Sequence, residues 1–354
     1  MLSISTYLAN WFSWWVKTEF WLMAASSAMR SIPEGREFSA ELVVQHRHEA
    51  ADGVVVLDLV DPHGAELPEW EPGAHVDVFL DEAVVRQYSL CGDPRDSRTW
   101  RIGVLLDPNG RGGSRYVHNH LHKGASIRIG GPRNHFLLVD SLKYRFIAGG
   151  IGITPMKSMV QAAERAGREW SLIYLGRTRS AMAFEHELVD RYGDKVTVWC
   201  ADERGEKFDL DSELSEPALD TLVYTCGPEA LLSHVEKSCG HWPAGVLHLE
   251  RFAAKDPSPN ASNQALGRYH VVCQRSGLTI EVSSDQPMLD ALEDAGIPIM
   301  SSCGEGICGT CRTTVLDGIP DHRDSLLTEN ERASGQVILP CVSHSRSEKL
   351  VLDL

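Results

Sequence analysis

Basic residues are scarce in this sequence. Its 354 residues include 34 Lys and Arg against 49 Asp and Glu, which gives a formal net charge of −15. Nucleic-acid-binding proteins need a basic face, so this balance argues against a nucleic-acid partner. An acidic surface suits a protein that meets a basic patch on another protein. The hydrophobic share of 43% is ordinary for a globular chain of two or three domains, and we expect a cytoplasmic location.

Long apolar runs are also missing. Residues 1–29 contain four Trp and two Phe, but Lys17 and Glu19 interrupt the run, which is too short and too charged to span a membrane. No basic segment precedes it, as a secretory signal would require. Two interpretations stay open for these residues. One is a helix that docks on a partner or a membrane surface; the other, which is at least as strong, is an extension from an early start, with Met23 and Met29 as alternative starts.

Cysteines are few and odd in number, nine in all, which does not suit a small secreted disulfide scaffold. Four of them lie within residues 303–341. Cys303, Cys308 and Cys311 have the spacing C-x4-C-x2-C, and Cys341 follows in a β-like run, Val337–Val342. A cluster of two irons and two sulfides needs four thiolates, and this spacing is that of plant-type ferredoxins.

Glycines support this interpretation of the cysteine loop. Gly304, Gly306 and Gly309 let the chain wrap closely and direct backbone N–H groups toward sulfur. The alternatives are a structural zinc site, for which paired C-x2-C knuckles are typical, and four unliganded buried thiols. We therefore predict a [2Fe–2S] cluster on the four cysteines, and expect the other five to be core residues: Cys91, Cys200, Cys226, Cys239 and Cys273.

Strand and helix patterns divide the rest of the chain. Residues 36–139 contain six short β runs separated by turn signals, which predicts a small antiparallel barrel. Residues 140–252 alternate apolar strands with helical segments, which predicts a parallel α/β sheet. Residues 253–266 are rich in Pro, Ser, Asn and Ala and are interpreted as a linker. With residues 1–35 as an N-terminal extension and residues 267–354 as the cluster domain, the fold class is multidomain α/β and β.

A glycine-rich turn, residues 149–155, lies near the start of the α/β segment. It follows a strand and opens a helix, which is the context in which such a turn binds a pyrophosphate. A second turn follows another apolar strand, and ligands of open α/β sheets bind at those strand ends. The residues predicted to bind a dinucleotide are Gly149, Gly150, Gly152, Thr154, Pro155, Cys226, Gly227 and Pro228.

A flavin is predicted on the barrel. Arg86 suits a phosphate, and Ser89 suits a flavin edge. The turn from Gly110 to Ser114 supplies a second phosphate-binding element. A flavin can accept a hydride pair from a nicotinamide and release single electrons to the cluster. The residues assigned to the flavin are Arg86, Gln87, Tyr88, Ser89, Gly103, Val104, Gly112, Gly113 and Ser114.

The order RxYSL, GGxGxTP, CGP and C-x4-C-x2-C…C resembles that of the phthalate dioxygenase reductase and vanillate demethylase reductase family. These are class IA reductases of Rieske-type oxygenase systems, and the resemblance covers about residues 36–354. It implies a ferredoxin-reductase-like fold with FMN, NADH as donor and a C-terminal β-grasp domain.

The same resemblance implies residue roles. Arg86, Tyr88 and Ser89 would hold FMN together with the Gly113-Ser114 turn, and Phe252 would cover the flavin. The resemblance also implies that the dinucleotide meets Gly150, Gly152 and Thr154 and that Cys226 lies near the nicotinamide. We expect hydride transfer beside Ser89, Thr154 and Cys226.

The expected partner is a separate Rieske-type oxygenase that acts on an aromatic or other small organic substrate. Residues 267–354 contain 7 Lys and Arg against 13 Asp and Glu, so this domain could dock on a basic oxygenase surface. Two alternatives remain: a reductase for another acceptor such as a cytochrome P450, and a redox-sensing module without turnover. The coenzyme is also open, because Arg177 and Arg179 could accept the 2′-phosphate of NADPH.

Overall fold

The computed structural model describes residues 38–81, 84–218, 220–254 and 267–354. The predicted N-terminal extension, residues 1–35, lies outside the described residues, and so does the predicted linker apart from its first two positions. None of the helices in the described ranges is long and apolar enough to cross a bilayer.

The first part is a six-stranded antiparallel barrel with the strand order β4-β3-β6-β1-β2-β5. A bridge between Leu90, directly after β4, and Ile102 in β5 joins the two edge strands and closes it. The strand β2, VVVLDLV, is almost continuously apolar because both of its faces are buried. The elements are β1 Ser39–Ala51, β2 Val54–Val60, β3 His75–Asp81, β4 Val84–Ser89, β5 Trp100–Leu105, α1 Gly113–His120 and β6 Ser126–Arg133.

The second part is a five-stranded parallel sheet in the order β11-β10-β7-β8-β9. The chain runs outward from β7 to β9 and then returns to the other side of β7 with β10. This reversal opens a crevice between the carboxyl ends of β7 and β10, where such sheets bind ligands. The elements are β7 Lys143–Gly149, α2 Ile153–Arg165, β8 Glu169–Gly176, α3 Glu185–Tyr192, β9 Val196–Cys200, α4 Ala201–Arg204, α5 Leu210–Glu213, β10 Thr221–Cys226, α6 Glu229–Ser238 and β11 Leu247–Glu250.

The barrel and the parallel sheet share one apolar core. Val54 and Val56 of β2 pack in the same buried cluster as Met156 of α2 and Phe184. Burial of these side chains against each other fixes the barrel on the sheet, because each methylene removed from water contributes about 0.8 kcal/mol.

The third part has the β-grasp arrangement. Its sheet order is β13-β12-β18-β14-β16; β12 and β18 are parallel and the other neighbours are antiparallel. Met288 and Leu292 of α7 are fully buried against Val271 and Leu350 of the sheet. The elements are β12 Arg268–Cys273, β13 Leu278–Ser283, α7 Met288–Asp294, β14 Thr313–Asp317, β15 Pro320–Asp321, α8 Glu329–Ser334, β16 Val337–Ile338, β17 His344–Ser345 and β18 Lys349–Leu352.

These three parts confirm the predicted fold class: an antiparallel barrel, a parallel α/β domain and a C-terminal β-grasp domain. One element is shorter than predicted. The β-like run Val337–Val342 forms a strand only over Val337–Ile338, and Cys341 lies in the turn that follows. Pro340 explains the early end, because proline has no N–H for a strand ladder.

Candidate functional site

The four C-terminal cysteines lie together. Cys303 contacts Cys308 and Cys341, and Cys311 also contacts Cys341. The pKa of Cys303 lies well below its usual range, since both neighbouring thiols and the backbone amides of Glu305 and Ile307 donate hydrogen bonds to its sulfur. Four sulfurs joined by these three contacts, with backbone N–H donors at Cys303 and Cys308, form a ligand set that suits a [2Fe–2S] cluster.

Backbone geometry at two glycines allows this loop to close. Gly306 has φ 69°, and a Cβ there would lie 2.6 Å from Cγ2 of Val342 and 2.9 Å from Cα of Asp324. Gly309 has φ 73°, and a Cβ there would lie 2.8 Å from Cδ2 of Leu326. A larger residue at either position would be strained and would also push the loop away from its support.

Three parts of the chain meet around one cavity of about 110 Å³. The strand β4, the segment that ends β11, and the cluster loop each form part of its wall. Residues of the loop after β6 and of the start of β3 complete it. Its lining includes His75, Arg86, Gln87, Ser89, Arg111, His135, Glu250, Phe252, Cys303, Glu305 and Cys308.

Two buried polar atoms of this wall have no hydrogen-bond partner within the described residues. They are Oγ of Ser89, whose residue is 4% exposed, and Nε2 of His75, whose residue is 6% exposed. Burial and the nearby Arg133 lower the pKa of His75 to about 4, so its imidazole is neutral at pH 7. Orphaned buried groups of this kind are costly unless a ligand satisfies them, and a flavin edge can do so.

A phosphate cradle lies at the edge of the same cavity. Arg86 packs against Gly113, where a Cβ would lie 2.6 Å from Cγ and 2.8 Å from Nε of the arginine. Gly113 is the first residue of α1, so the guanidinium stands beside the positive end of a helix dipole. These residues fit the phosphate of FMN.

The two coenzyme turns touch at the crevice between β7 and β10. A Cβ on Gly152 would lie 2.2 Å from the carbonyl oxygen of Cys226, so only glycine allows this approach. Thr154, on the first turn of α2, donates from Oγ1 to the carbonyl of Ile151 at 3.0 Å. Its methyl group would lie 3.0 Å from a Cβ on Gly103, which places the first turn of α2 directly against the barrel.

A cleft of about 600 Å³ runs from this crevice across the ends of β8 and β9. Gly149 and Gly150 line one end, and Trp199 and Phe208 line the other, with their ring centroids 5.3 Å apart. The cleft has the position and the aromatic end that an extended dinucleotide requires.

Burial raises the pKa of two adjacent groups between the cleft and the cavity. Cys226 is fully buried and its thiol pKa lies well above the usual value. Its strand neighbour Glu250 has a carboxyl pKa raised to about 8 by burial, and its Oε2 is buried. A thiol at this position is neutral and does not act as a thiolate nucleophile.

The structure brings most of the predicted residues to the cavity or to the cleft. Arg86, Gln87, Ser89 and Phe252 line the cavity, and Gly149, Gly150 and Pro228 line the cleft. Gly227 packs against Gly149 at their junction. Gly112 and Ser114 flank the start of α1, and Pro155 is buried on α2. Tyr88 is half-buried beside them, and burial raises its pKa to about 12. The side chain of Val104 is fully buried in the barrel core.

Sequence reasoning missed four ionisable residues of the cavity wall, His75, His135, Glu250 and Glu305, whereas Arg111 belongs to the turn predicted to bind phosphate. Glu250 could have been found, because it stands two positions before Phe252 in the segment Glu250-Arg251-Phe252. The histidines belong to the barrel and come into contact with the cluster loop only through the tertiary fold, so no local signal marks them.

Comparison with known proteins gives two family matches. The 2Fe-2S iron-sulfur cluster binding domain matches residues 271–346, and the oxidoreductase NAD-binding domain matches residues 146–237. Among curated proteins, the chain is 40% identical to the phenoxybenzoate dioxygenase subunit beta of Ectopseudomonas oleovorans over 86% of this chain and 94% of that protein.

Solved structures give two informative matches. An intact type IV self-sufficient cytochrome P450 monooxygenase matches 93% of this chain with a TM-score of 0.82 and 40% identity. This chain spans only 45% of that protein. Phthalate dioxygenase reductase, described as a modular structure for electron transfer from pyridine nucleotides to [2Fe-2S], matches 89% of this chain and 98% of that one, with a TM-score of 0.65 and 35% identity.

The fold, the cysteine loop and the coenzyme cleft define an oxidoreductase that transfers electrons from a pyridine nucleotide to a [2Fe–2S] cluster. The chain belongs to the phthalate dioxygenase reductase and vanillate O-demethylase oxidoreductase family, as its motifs predicted. The two family matches confirm the [2Fe–2S] cluster and the nicotinamide coenzyme of the predicted cofactor set.

Proposed function

We propose that this chain is the reductase component that supplies a separate Rieske-type oxygenase with single electrons from NADH. The observation that carries the proposal is the cavity in which β4, the segment Glu250–Phe252 and the cluster loop meet. A group held there would touch both the coenzyme domain and the cluster ligands.

We propose that FMN binds where this cavity meets the phosphate cradle beside Gly113. We propose that Arg86 and the backbone of Gly112, Gly113 and Ser114 hold its phosphate, and that Gln87, Tyr88, Ser89 and Phe252 hold its ring, with Gly103 and Val104 as supporting barrel residues. When bound, FMN supplies the conversion of a hydride pair into single electrons.

The coenzyme residues orient the donor and exclude water. We propose that the dinucleotide lies on Gly149, Gly150, Gly152, Pro155, Gly227 and Pro228, and that Ser89, Thr154 and Cys226 border the place of hydride transfer. Cys226 and Thr154 are 0% and 2% exposed, so this place is shielded from solvent. The cluster is proposed to bind Cys303, Cys308, Cys311 and Cys341.

The outer side of the cluster domain suits a basic acceptor. Met300, three residues before Cys303, is 60% exposed. Exposed carboxylates of α7 lie nearby, since Glu293 accepts a hydrogen bond from Ser301 at 3.4 Å and shares its helix with Asp290 and Asp294. An exposed apolar side chain beside acidic groups is the arrangement expected of a transient docking face.

The domain division that accompanies this function is also proposed: residues 36–139 for FMN, 140–252 for NADH, 253–266 as a linker and 267–354 for the cluster. The location is proposed to be cytoplasmic, in keeping with the acidic composition and the reduced cysteines.

A second candidate acceptor is a haem monooxygenase. The match to a self-sufficient cytochrome P450 favours this candidate. That match covers 93% of this chain, and the P450 protein combines such a reductase with its P450 in one chain. The match to phthalate dioxygenase reductase covers 98% of that protein, which leaves no room in it for an acceptor domain, and this favours a separate acceptor protein.

The first experiment is an anaerobic NADH titration of the purified protein, followed by chromatographic identification of the released flavin. Bleaching of flavin and iron–sulfur absorbance with release of FMN supports the proposed path. Flavin bleaching without a cluster signal in iron-replete protein would contradict the role of the four cysteines. A Cys308→Ser variant should lose the cluster signal, whereas Cys273→Ser, in the core of the same domain, should keep it.

The acceptor is tested by adding the reduced protein to a purified Rieske oxygenase and, separately, to a P450. Rapid reoxidation by the Rieske protein alone supports the proposal, and rapid reoxidation by the P450 alone favours the second candidate. Steady NADH-dependent reduction of cytochrome c excludes a module without turnover.

A further inference from the structure

The adenosine end of the coenzyme cleft holds a charge arrangement that the hydride-transfer role does not use. From the glycine turn at Gly149 and Gly150, the cleft passes the end of β8 and reaches Trp199 at the end of β9. In parallel sheets that bind dinucleotides, the residues after the second strand read the 2′ position of the adenosine ribose: a carboxylate suits a hydroxyl, and an arginine suits a phosphate. In this chain that strand is β8.

Two arginines follow β8, and their environments differ. Arg177 lines the cleft. Arg179 begins the next turn, and three of its nitrogens bond to carboxylates. Nε and Nη2 donate to the two carboxylate oxygens of Glu203 at 2.8 Å each, and Nη1 donates to Oε1 of Glu185 at 2.5 Å. Glu203 belongs to α4, directly after β9, and Glu185 is the buried first residue of α3.

This pairing decides what the turn can offer a ligand. A bidentate carboxylate occupies the fork that a phosphate would use. The group of Arg179, Glu185 and Glu203 carries a net charge of −1, so it adds no free positive charge to Arg177 and Lys207, which line the cleft. Arg179 is 42% exposed and Glu203 48%, so release of the pair would free the guanidinium to move.

We propose that Glu203 is a coenzyme-specificity residue. It holds the Arg179 guanidinium away from the cleft, so the 2′ position of the adenosine ribose is accepted as a hydroxyl and disfavoured as a phosphate. Arg179 is then a latent ligand for a 2′-phosphate, and the chain selects NADH over NADPH through this ion pair.

The test measures binding of NAD⁺ and NADP⁺ to the full-length holoprotein by isothermal titration calorimetry, in the wild type and in Glu203→Gln. We expect the ratio of the two dissociation constants, NADP⁺ over NAD⁺, to fall about tenfold in Glu203→Gln, the size of one charge-assisted hydrogen bond. In the double variant Glu203→Gln/Arg179→Gln the ratio should return toward the wild-type value. The matched control is Asp194→Asn, which removes one charge from the turn before β9, at the opposite end of that strand.

Three outcomes overturn the inference: an unchanged ratio in Glu203→Gln, a fall that persists without Arg179, or an equal fall in Asp194→Asn. The last two results would show a general effect of charge. The inference rests on the proposed use of NADH, but the binding readout does not depend on turnover. Binding of both nucleotides without NADH-dependent ferricyanide reduction would therefore remove the proposed function and leave the test of Glu203 valid.

Discussion

At the residue scale, the tightest contact of the coenzyme site is the approach of Gly152 to Cys226. The backbone at Gly152 has φ −60°, which any residue can adopt, so the effect of a substitution there comes from space alone. The Cβ of alanine would lie 2.2 Å from the Cys226 carbonyl oxygen, which is backbone and cannot turn away. The turns after β7 and β10 must therefore separate.

We expect Gly152→Ala to raise KM for NADH about tenfold and to destabilise the protein by about 1–3 kcal/mol, as overpacking does. The measurement is steady-state NADH–ferricyanide activity together with thermal unfolding. Gly267→Ala is the control, because a Cβ there meets nothing within 4 Å. A KM unchanged from the wild type would show that the junction of the two turns is not part of the coenzyme site.

We expect Glu250 to make the free energy of unfolding depend on pH. Its folded pKa is raised to about 8 from 4.5 by burial, so between these values the folded state holds a proton that the unfolded state has lost. The free energy of unfolding should therefore fall as the pH rises from about 5 to 8. Glu250→Gln removes this dependence. The unfolding midpoint of the variant should therefore rise relative to that of the wild type as the pH increases over the same range. Parallel pH profiles for the two proteins would contradict the buried neutral carboxyl.

At the element scale, the proposed site for the flavin phosphate lies where a strand meets a helix. The strand β4 presents Arg86, and the helix α1 presents its amino end at Gly113, so each element supplies half of the phosphate cradle. Neither half is sufficient, because an isolated exposed charge binds phosphate weakly in water.

We expect Arg86→Gln to weaken FMN retention at least tenfold while the cluster absorbance is unchanged. The measurement is the flavin-to-iron ratio after gel filtration and the FMN dissociation constant from fluorescence. Arg115→Gln is the matched control, because it removes a positive charge from the same helix. The Arg115 side chain donates a hydrogen bond to the carbonyl of Pro108. Equal loss of FMN in both variants would show that general charge, not the cradle, holds the flavin.

At the scale of the whole molecule, the cluster domain is joined to the barrel by polar contacts. Ser302 donates to Asp77 of β3 at 2.8 Å and lies 3.3 Å from the Gln87 amide of β4. Glu305, within the cluster loop, forms an ion pair with Arg111. Asp77 is buried, whereas Arg111 is 60% and Glu305 31% exposed, so the second contact should respond more strongly to salt.

We expect Ser302→Ala/Glu305→Gln to lower the ratio of NADH–cytochrome c activity to NADH–ferricyanide activity three- to tenfold, since electrons leave through the cluster only when its loop is held against the flavin cavity. Added salt should lower the same ratio in the wild type and have less effect in the variant. Glu348→Gln, an exposed carboxylate of the same domain, is the control. A ratio that does not move would assign these contacts to stability alone.

Most of the fold and the ligand types could be predicted from the sequence, because they depend on local spacing. The C-x4-C-x2-C loop, the glycine turn after β7 and the alternation of strands and helices are each determined within a few tens of residues. The predicted end of β16 was wrong because the β-like run was extended through Pro340, whose effect on the ladder is also local.

Only the tertiary structure decided which of these segments meet. His75 lies more than 200 residues from the cluster loop, and Glu203 lies 24 residues from Arg179, yet each pair shares one site. Such contacts depend on strand order and on the packing of the domains, which are set by burial of whole surfaces and not by spacing along the chain. The sequence by itself indicated the kinds of cofactor, which are a flavin, a nicotinamide coenzyme and a [2Fe–2S] cluster, because each depends on a local motif. The packed fold decided which residues share the cavity and which charges lie beside the coenzyme cleft.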